Sequence, residues 1–237
     1  MSKKYEFTGE VNTQGLKRIR ALIDIDRFGV KRGDLGGFIA EETNLDHVGD
    51  CWASDNARIW GDARIWGDAR ISDNARIWGD ARIWDNARIW GDARIWGDAR
   101  ISDNARIWGD ARIWDDARIS GNARISGNAC ISDNARIWDN ARISGNAYIS
   151  GNACISGNAC ICRTSDYLVI TSVGSESGIL TAFKTQQETT IRVTRGCFQG
   201  SLEAFEAAVT AKHGDNKYGK QYALAIALIK QTLNEEN

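Results

Sequence analysis

The chain has 237 residues, enough for one or two domains with cores of their own. Its 30 Lys and Arg against 31 Asp and Glu argue against a strongly basic nucleic-acid binder, and 43% hydrophobic with 26% charged residues argues against disorder. No apolar run reaches the ~20 residues of a membrane span, no apolar stretch follows Met1-Ser2-Lys3-Lys4, and six Cys without matched Cys-x-x-Cys pairs read as reduced thiols, so a cytoplasmic protein with no membrane segment is expected.

In chain order, residues 1–56 read as an N-terminal capping leader. Leu16–Ile23 is strand-like, and its Lys17, Arg18 and Arg20 fit the exposed face of a strand better than a nucleic-acid patch. Gly33-Asp34-Leu35-Gly36-Gly37 lacks a following lysine and helix signal, so it reads as a turn rather than a phosphate cradle.

From Ala57 to Ile161 the chain repeats Ala-x-Ile-y-z-z every six residues, with 18 Ile and 18 Ala and no insertion. Alternation puts Ala and Ile on one side and x and y on the other. The z positions hold Gly, Asp or Asn, which tolerate left-handed backbone and make tight corners. Short strands joined by corners make a single-stranded triangular β-solenoid over residues 57–162, with about six coils if three hexads close one. Each buried Ile contributes roughly 2 kcal/mol. Proline would break the ladder, and the chain has none.

Residues 163–237 read as a small α+β module. Tyr167–Val173, Gly178–Lys184 and Thr190–Thr194 are predicted strands. Ser201 is placed to cap a helix bearing Leu202, Phe205 and Val209 on one face, with Glu203 and Glu206 early in it. A second helix carries Tyr222, Ile226, Ile229 and Leu233.

The hexad resembles that of the hexapeptide-repeat, left-handed β-helix family, over about 106 residues. It departs from that family in placing Trp or Ser directly after the aliphatic residue, with Gly one place later; the polymer-forming bactofilins, which are right-handed, use similar spacing. The leader, with Gly33–Ile39, Asn44-Leu45 and Gly49-Asp50-Cys51-Trp52, resembles that of hexapeptide-repeat proteins of bacterial and prophage origin, often labelled acyltransferases or polymer-forming proteins. The stretch Gly196–Phe205 resembles a C-terminal module of uncharacterised phage proteins.

That resemblance implies an acyltransferase with a histidine base and a loop shaping an acyl-CoA site. The chain offers two histidines, His47 and His213, both outside the repeat, and no loop interrupts the coils. His47 is the one weak catalytic candidate; no Ser-His-Asp set, metal cluster or P-loop is visible, and no cofactor or metal is implied. Cys160 and Cys162 are too few for a structural zinc site.

The outward positions remain. Before Ile, 14 of 18 residues are Arg; after it, nine are Trp and eight are Ser. Sorting hexads in threes puts Trp60, Trp78, Trp96 and Trp114 in one column, beside Arg58, Arg76, Arg94 and Arg112. Guanidinium can stack on indole, and 13 corner Asp stand near the arginines. Four stacked indoles are expected to form an exposed apolar patch that a subunit, partner or ligand covers. Residues 57–86 and 87–116 match at 29 of 30 positions, and five hexads is not a whole number of coils, so the duplication carried the hexad rather than a face.

The leading expectation is a non-enzymatic interaction scaffold, a phage or prophage accessory protein that holds a host or phage partner through its terminal modules or its Trp/Arg faces. Left-handed β-helix proteins are often trimers, so a closed homo-oligomer, trimer or dimer, is expected. The alternatives are an acyl-CoA-dependent acyltransferase and a solenoid that stacks sugars or single-stranded bases on tryptophan.

Overall fold

The computed structural model describes residues 3–186 and 190–233. Its local logic lies at the corners. The first corner residue of every hexad from Gly61 to Gly157 has φ between 55° and 72°, a region open to Gly and tolerated by Asp, and only those two types occur there. Each corner turns the chain after a two-residue rung, Arg58–Ile59 being the first of the regular series. Rungs 18 residues apart pair in parallel, as Arg76 and Arg94 do, so three hexads make one coil. Within that register Arg94 N donates to Ala111 O at 2.9 Å and Trp96 N to Ile113 O at 3.0 Å.

The protein is therefore mainly β, a parallel three-faced solenoid with a small C-terminal α+β domain. The repeat Ala and Ile fill its core, none more than 1% exposed. Corner aspartates add a second ladder: Asp103 Oδ2 accepts from Gly121 N in the next coil at 2.9 Å, as Asp73 does from Gly91.

The coil register begins inside the leader. Strand β2 (Lys17–Ala21) pairs antiparallel with both β1 (Tyr5–Val11) and β3 (Leu35–Ile39), and β3 pairs in parallel with Arg58–Ile59, so they extend the first face. Trp52–Ala53 is already a rung of the third face, which counts seven strands against six on the second. Lys17, Arg18 and Arg20 lie on β2, where Arg20 meets Glu6, Arg18 meets Glu10, and Lys17 lies over Phe7. Asn44, fully buried, closes the start of the second face: its Nδ2 donates to Gly61 O and Ala63 O, both at 2.9 Å.

At the far end the tail forms a four-stranded antiparallel sheet: Tyr167–Val173, Gly178–Lys184, Ile191–Arg195 and Phe198–Ser201. The fourth strand departs from the three expected. Its Gln, Gly and Ser carry no strand signal; it is set by the tight turn at Gly196, φ 58°, which pairs Phe198 with Arg195. Thr190, expected within the third strand, precedes it. Phe183 inserts into the solenoid core, and side-chain hydroxyls end the ladder. Thr181 Oγ1 accepts from Cys154 N at 3.1 Å, Thr194 Oγ1 donates to Cys154 O at 2.9 Å, and Thr164 Oγ1 accepts from Tyr148 N at 3.1 Å.

Helices α1 (Leu202–His213) and α2 (Lys217–Leu233) cover the other side of this sheet in a second core. Ser201 caps α1, accepting from Ala204 N at 3.2 Å, and Leu202, Phe205 and Val209 are buried as the spacing predicts. Among the described residues no helix is long and apolar enough to cross a membrane.

Candidate functional site

The first face carries the predicted columns. Arg58, Arg76, Arg94 and Arg112 stand in register on adjoining rungs, with Trp60, Trp78, Trp96 and Trp114 beside them. The indoles stack almost parallel, centroids 5.0–5.1 Å apart and planes within 5°. This is the spacing of neighbouring strands. Shorter stacks occur on the other faces, Trp66 on Trp84 and Trp90 on Trp108.

Stacking changes what these columns present. Every repeat tryptophan is half-buried, and in the first-face stack Trp78 and Trp96 are covered on both ring faces, so that their edges reach solvent. The expected broad apolar patch is thus a narrow ridge. The same stacking removes the expected seat for arginine: among the described residues no repeat guanidinium lies over a tryptophan ring. Nor do the corner aspartates neutralise the arginines at close range. Among the described residues no repeat arginine has a carboxylate within 4.0 Å.

Beyond the fourth coil the first face changes character. Cys130 and Tyr148 continue the arginine column, and Ser132 and Ser150 continue the tryptophan column. Tyr148 leans back across the buried Ser132 toward Trp114, ring centroids 6.1 Å apart, so the aromatic ridge runs on. A further column, not expected from the repeat, borders this face. The second corner position holds Asp62, Asp80, Asp98 and Asp116, in the same four coils as the arginines and tryptophans. Sorting the corner residues in threes reveals it in the sequence.

His47 sits where the leader meets the second face. It stacks on Tyr5 with centroids 4.3 Å apart, and its Nδ1 accepts the Lys4 backbone N–H at 3.1 Å. With Nδ1 committed as acceptor, the neutral ring carries its proton on Nε2, 3.8 Å from Glu42. A ring so held has no free basic nitrogen while neutral. The open cleft beside it, about 440 Å³, is lined by Glu42, Asp46, Arg64, Trp66 and Arg82. A second cavity, about 360 Å³, lies in the tail among Arg195, Phe198, Phe205, His213 and Tyr222, remote from His47. Burial pushes the Cys51 thiol up, and it pushes Cys160 up with the nearby Cys162 adding to it. All six cysteines are free, and among the described residues no group of three or more acidic, His or Cys side chains could hold a metal.

Comparison with known proteins agrees with this geometry at one point. Residues 117–131 match the family model described as the YdcK beta solenoid repeat. This is a β-solenoid repeat protein. The matched stretch falls in the regular coils, where Arg118–Ile119 pairs with Arg136–Ile137. No curated protein matches the chain.

Proposed function

We propose that the protein is a non-enzymatic interaction scaffold, a phage or prophage accessory protein of the cytoplasm. Its solenoid is a rigid spacer. Its terminal modules and Trp/Arg faces engage a host or phage protein, and it works as a closed homo-oligomer, dimer or trimer. The observation that carries this reading is an unbroken coil with both ends closed by side-chain hydrogen bonds, from Asn44 at one end and Thr164, Thr181 and Thr194 at the other. Closed ends resist end-to-end growth, and an unbroken coil supplies no loop to fold over an acyl-CoA. The hexapeptide-type acyltransferase reading draws no support from His47, whose Nδ1 is already engaged. Stacked indoles at 5.0 Å likewise leave no slot for a base or sugar ring between them.

Calorimetric titration with acetyl-CoA tests the choice. The scaffold reading predicts no saturable heat. Saturable binding that disappears in His47→Ala would overturn it in favour of the acyltransferase, and tryptophan quenching by an oligonucleotide or oligosaccharide, lost in Trp78→Ser/Trp96→Ser, would favour the ligand-binding solenoid.

A further inference from the structure

Across the first face, from one edge to the other, run three parallel columns: arginine, tryptophan, corner aspartate. They occupy the same four coils, with Arg76, Trp78 and Asp80 in one coil and Arg94, Trp96 and Asp98 in the next. The four guanidiniums and four carboxylates of these columns balance in charge. Among the described residues none of these eight side chains forms an ion pair; the one side-chain hydrogen bond is Arg58 to Gln14. The other faces lack a matching aspartate column at the second corner position. On the second, five arginines stand beside a single aspartate at the same corner position, Asp68, and that one is held by Arg27 of the leader. On the third, five arginines stand beside Asp92 and Asp110.

We infer that the first face is the contact surface for a second copy of the chain, joined in parallel about a two-fold axis along the solenoid. The symmetry follows from the order of the columns. A two-fold along the coil axis reverses left and right across the face and preserves height, so the arginine column of each copy meets the aspartate column of the other, rung for rung. The tryptophan ridges meet between them. A two-fold across the coil would set arginine on arginine and aspartate on aspartate, which like-charge repulsion rejects. The contact is isologous and closes at two copies. Because both columns share the strand spacing, four pairs form on each side at once, and a slip by one coil forfeits one pair on each side. The Tyr148 ring, 43% exposed, extends the apolar ridge into the coils beyond these columns.

This inference rests on the closed-oligomer part of the proposed function and narrows it from dimer or trimer to a parallel dimer. It is tested by charge reversal in the full chain. Arg76→Glu/Arg94→Glu sets acid against acid at the two central rungs; Asp80→Lys/Asp98→Lys sets base against base there. All four side chains are on outward positions and have no hydrogen-bond or ion-pair partner among the described residues. Circular dichroism melting checks that each variant folds as the parent does.

By sedimentation velocity at low salt, the parent is expected at twice the chain mass. Each reversed variant alone is expected as a monomer, its dissociation constant raised at least about tenfold. Their equimolar mixture is expected to give a one-to-one heterodimer. A parent that is monomeric throughout overturns the inference and the oligomer with it. An oligomer indifferent to both reversals overturns the inference alone and leaves a closed oligomer built on another surface. Reversed variants that fail to pair when mixed overturn the parallel column match.

Discussion

Asp103 occupies a left-handed corner, φ 58°, and clips its coil to the next through Gly121 N. The two roles pull a substitution in different directions. Asp103→Ala loses the clip and keeps the unfavourable backbone, for about 2 kcal/mol; Asp103→Gly loses the clip alone, for about 1 kcal/mol. Urea unfolding that ranks Gly below Ala in stability would contradict this account of the corner. Gly97 has the stricter requirement, since at φ 68° an added Cβ would lie 2.7 Å from Asp115 N. Gly97→Ala is therefore expected to cost about 2 kcal/mol or more. Tyr5, buried, donates its phenol hydrogen to Leu45 O at 2.8 Å, and burial pushes its ionisation well above the ordinary 10.0. The folded state thus holds this proton more tightly than the unfolded state. The stabilisation is complete below pH ~10, where the unfolded phenol titrates, and is lost as pH rises beyond it. Melting temperatures of the parent and Tyr5→Phe should differ at pH 8, by about 1 kcal/mol of stability, and converge toward pH 11; a constant gap would contradict the assignment.

Between elements, the hydrogen bonds that end the ladder matter more than any single rung. Asn44→Leu leaves two buried carbonyls, Gly61 O and Ala63 O, without their donor and is expected to cost about 3 kcal/mol in chemical unfolding. Thr194→Val strips the donor from Cys154 O. A cost near 1–2 kcal/mol is expected, together with slow growth in mass as the last rung becomes available for pairing. These caps mark the limit of what a local pattern conveys. The rungs could be read residue by residue because every hexad meets the same surroundings. Thr194 and Cys154, forty residues apart, meet only because the tail folds back. The same holds for the site: sorting by threes located the arginine and tryptophan columns, but that the indoles would cover one another's faces and exclude arginine from them depends on 5.0 Å stacking. Phe198–Ser201 was hidden for a third reason, its strand set by the turn at Gly196 rather than by its own composition.

For the whole molecule, 18 residues are one coil and six are one face. Removing residues 81–98 takes out a full coil and returns every later hexad to its own face, so folding and self-association are expected to persist with one fewer row of pairs. Removing residues 81–86 moves every later hexad to a neighbouring face and breaks the columns after Trp78. That chain is expected to fold, because each hexad meets the same core and the deletion takes only the exposed Arg27–Asn86 contact from the leader, but to lose self-association. Comparing the two deletions separates what the hexad specifies, which is the coil, from what the coil specifies, which is the face.

The most direct measurement is absolute mass by light scattering of the full chain, from micromolar to tens of micromolar. A closed scaffold joined through its first face predicts a plateau at twice the 26.2 kDa chain mass. A mass that climbs without limit as concentration rises would mean that the ends are open, and would contradict the account at its centre.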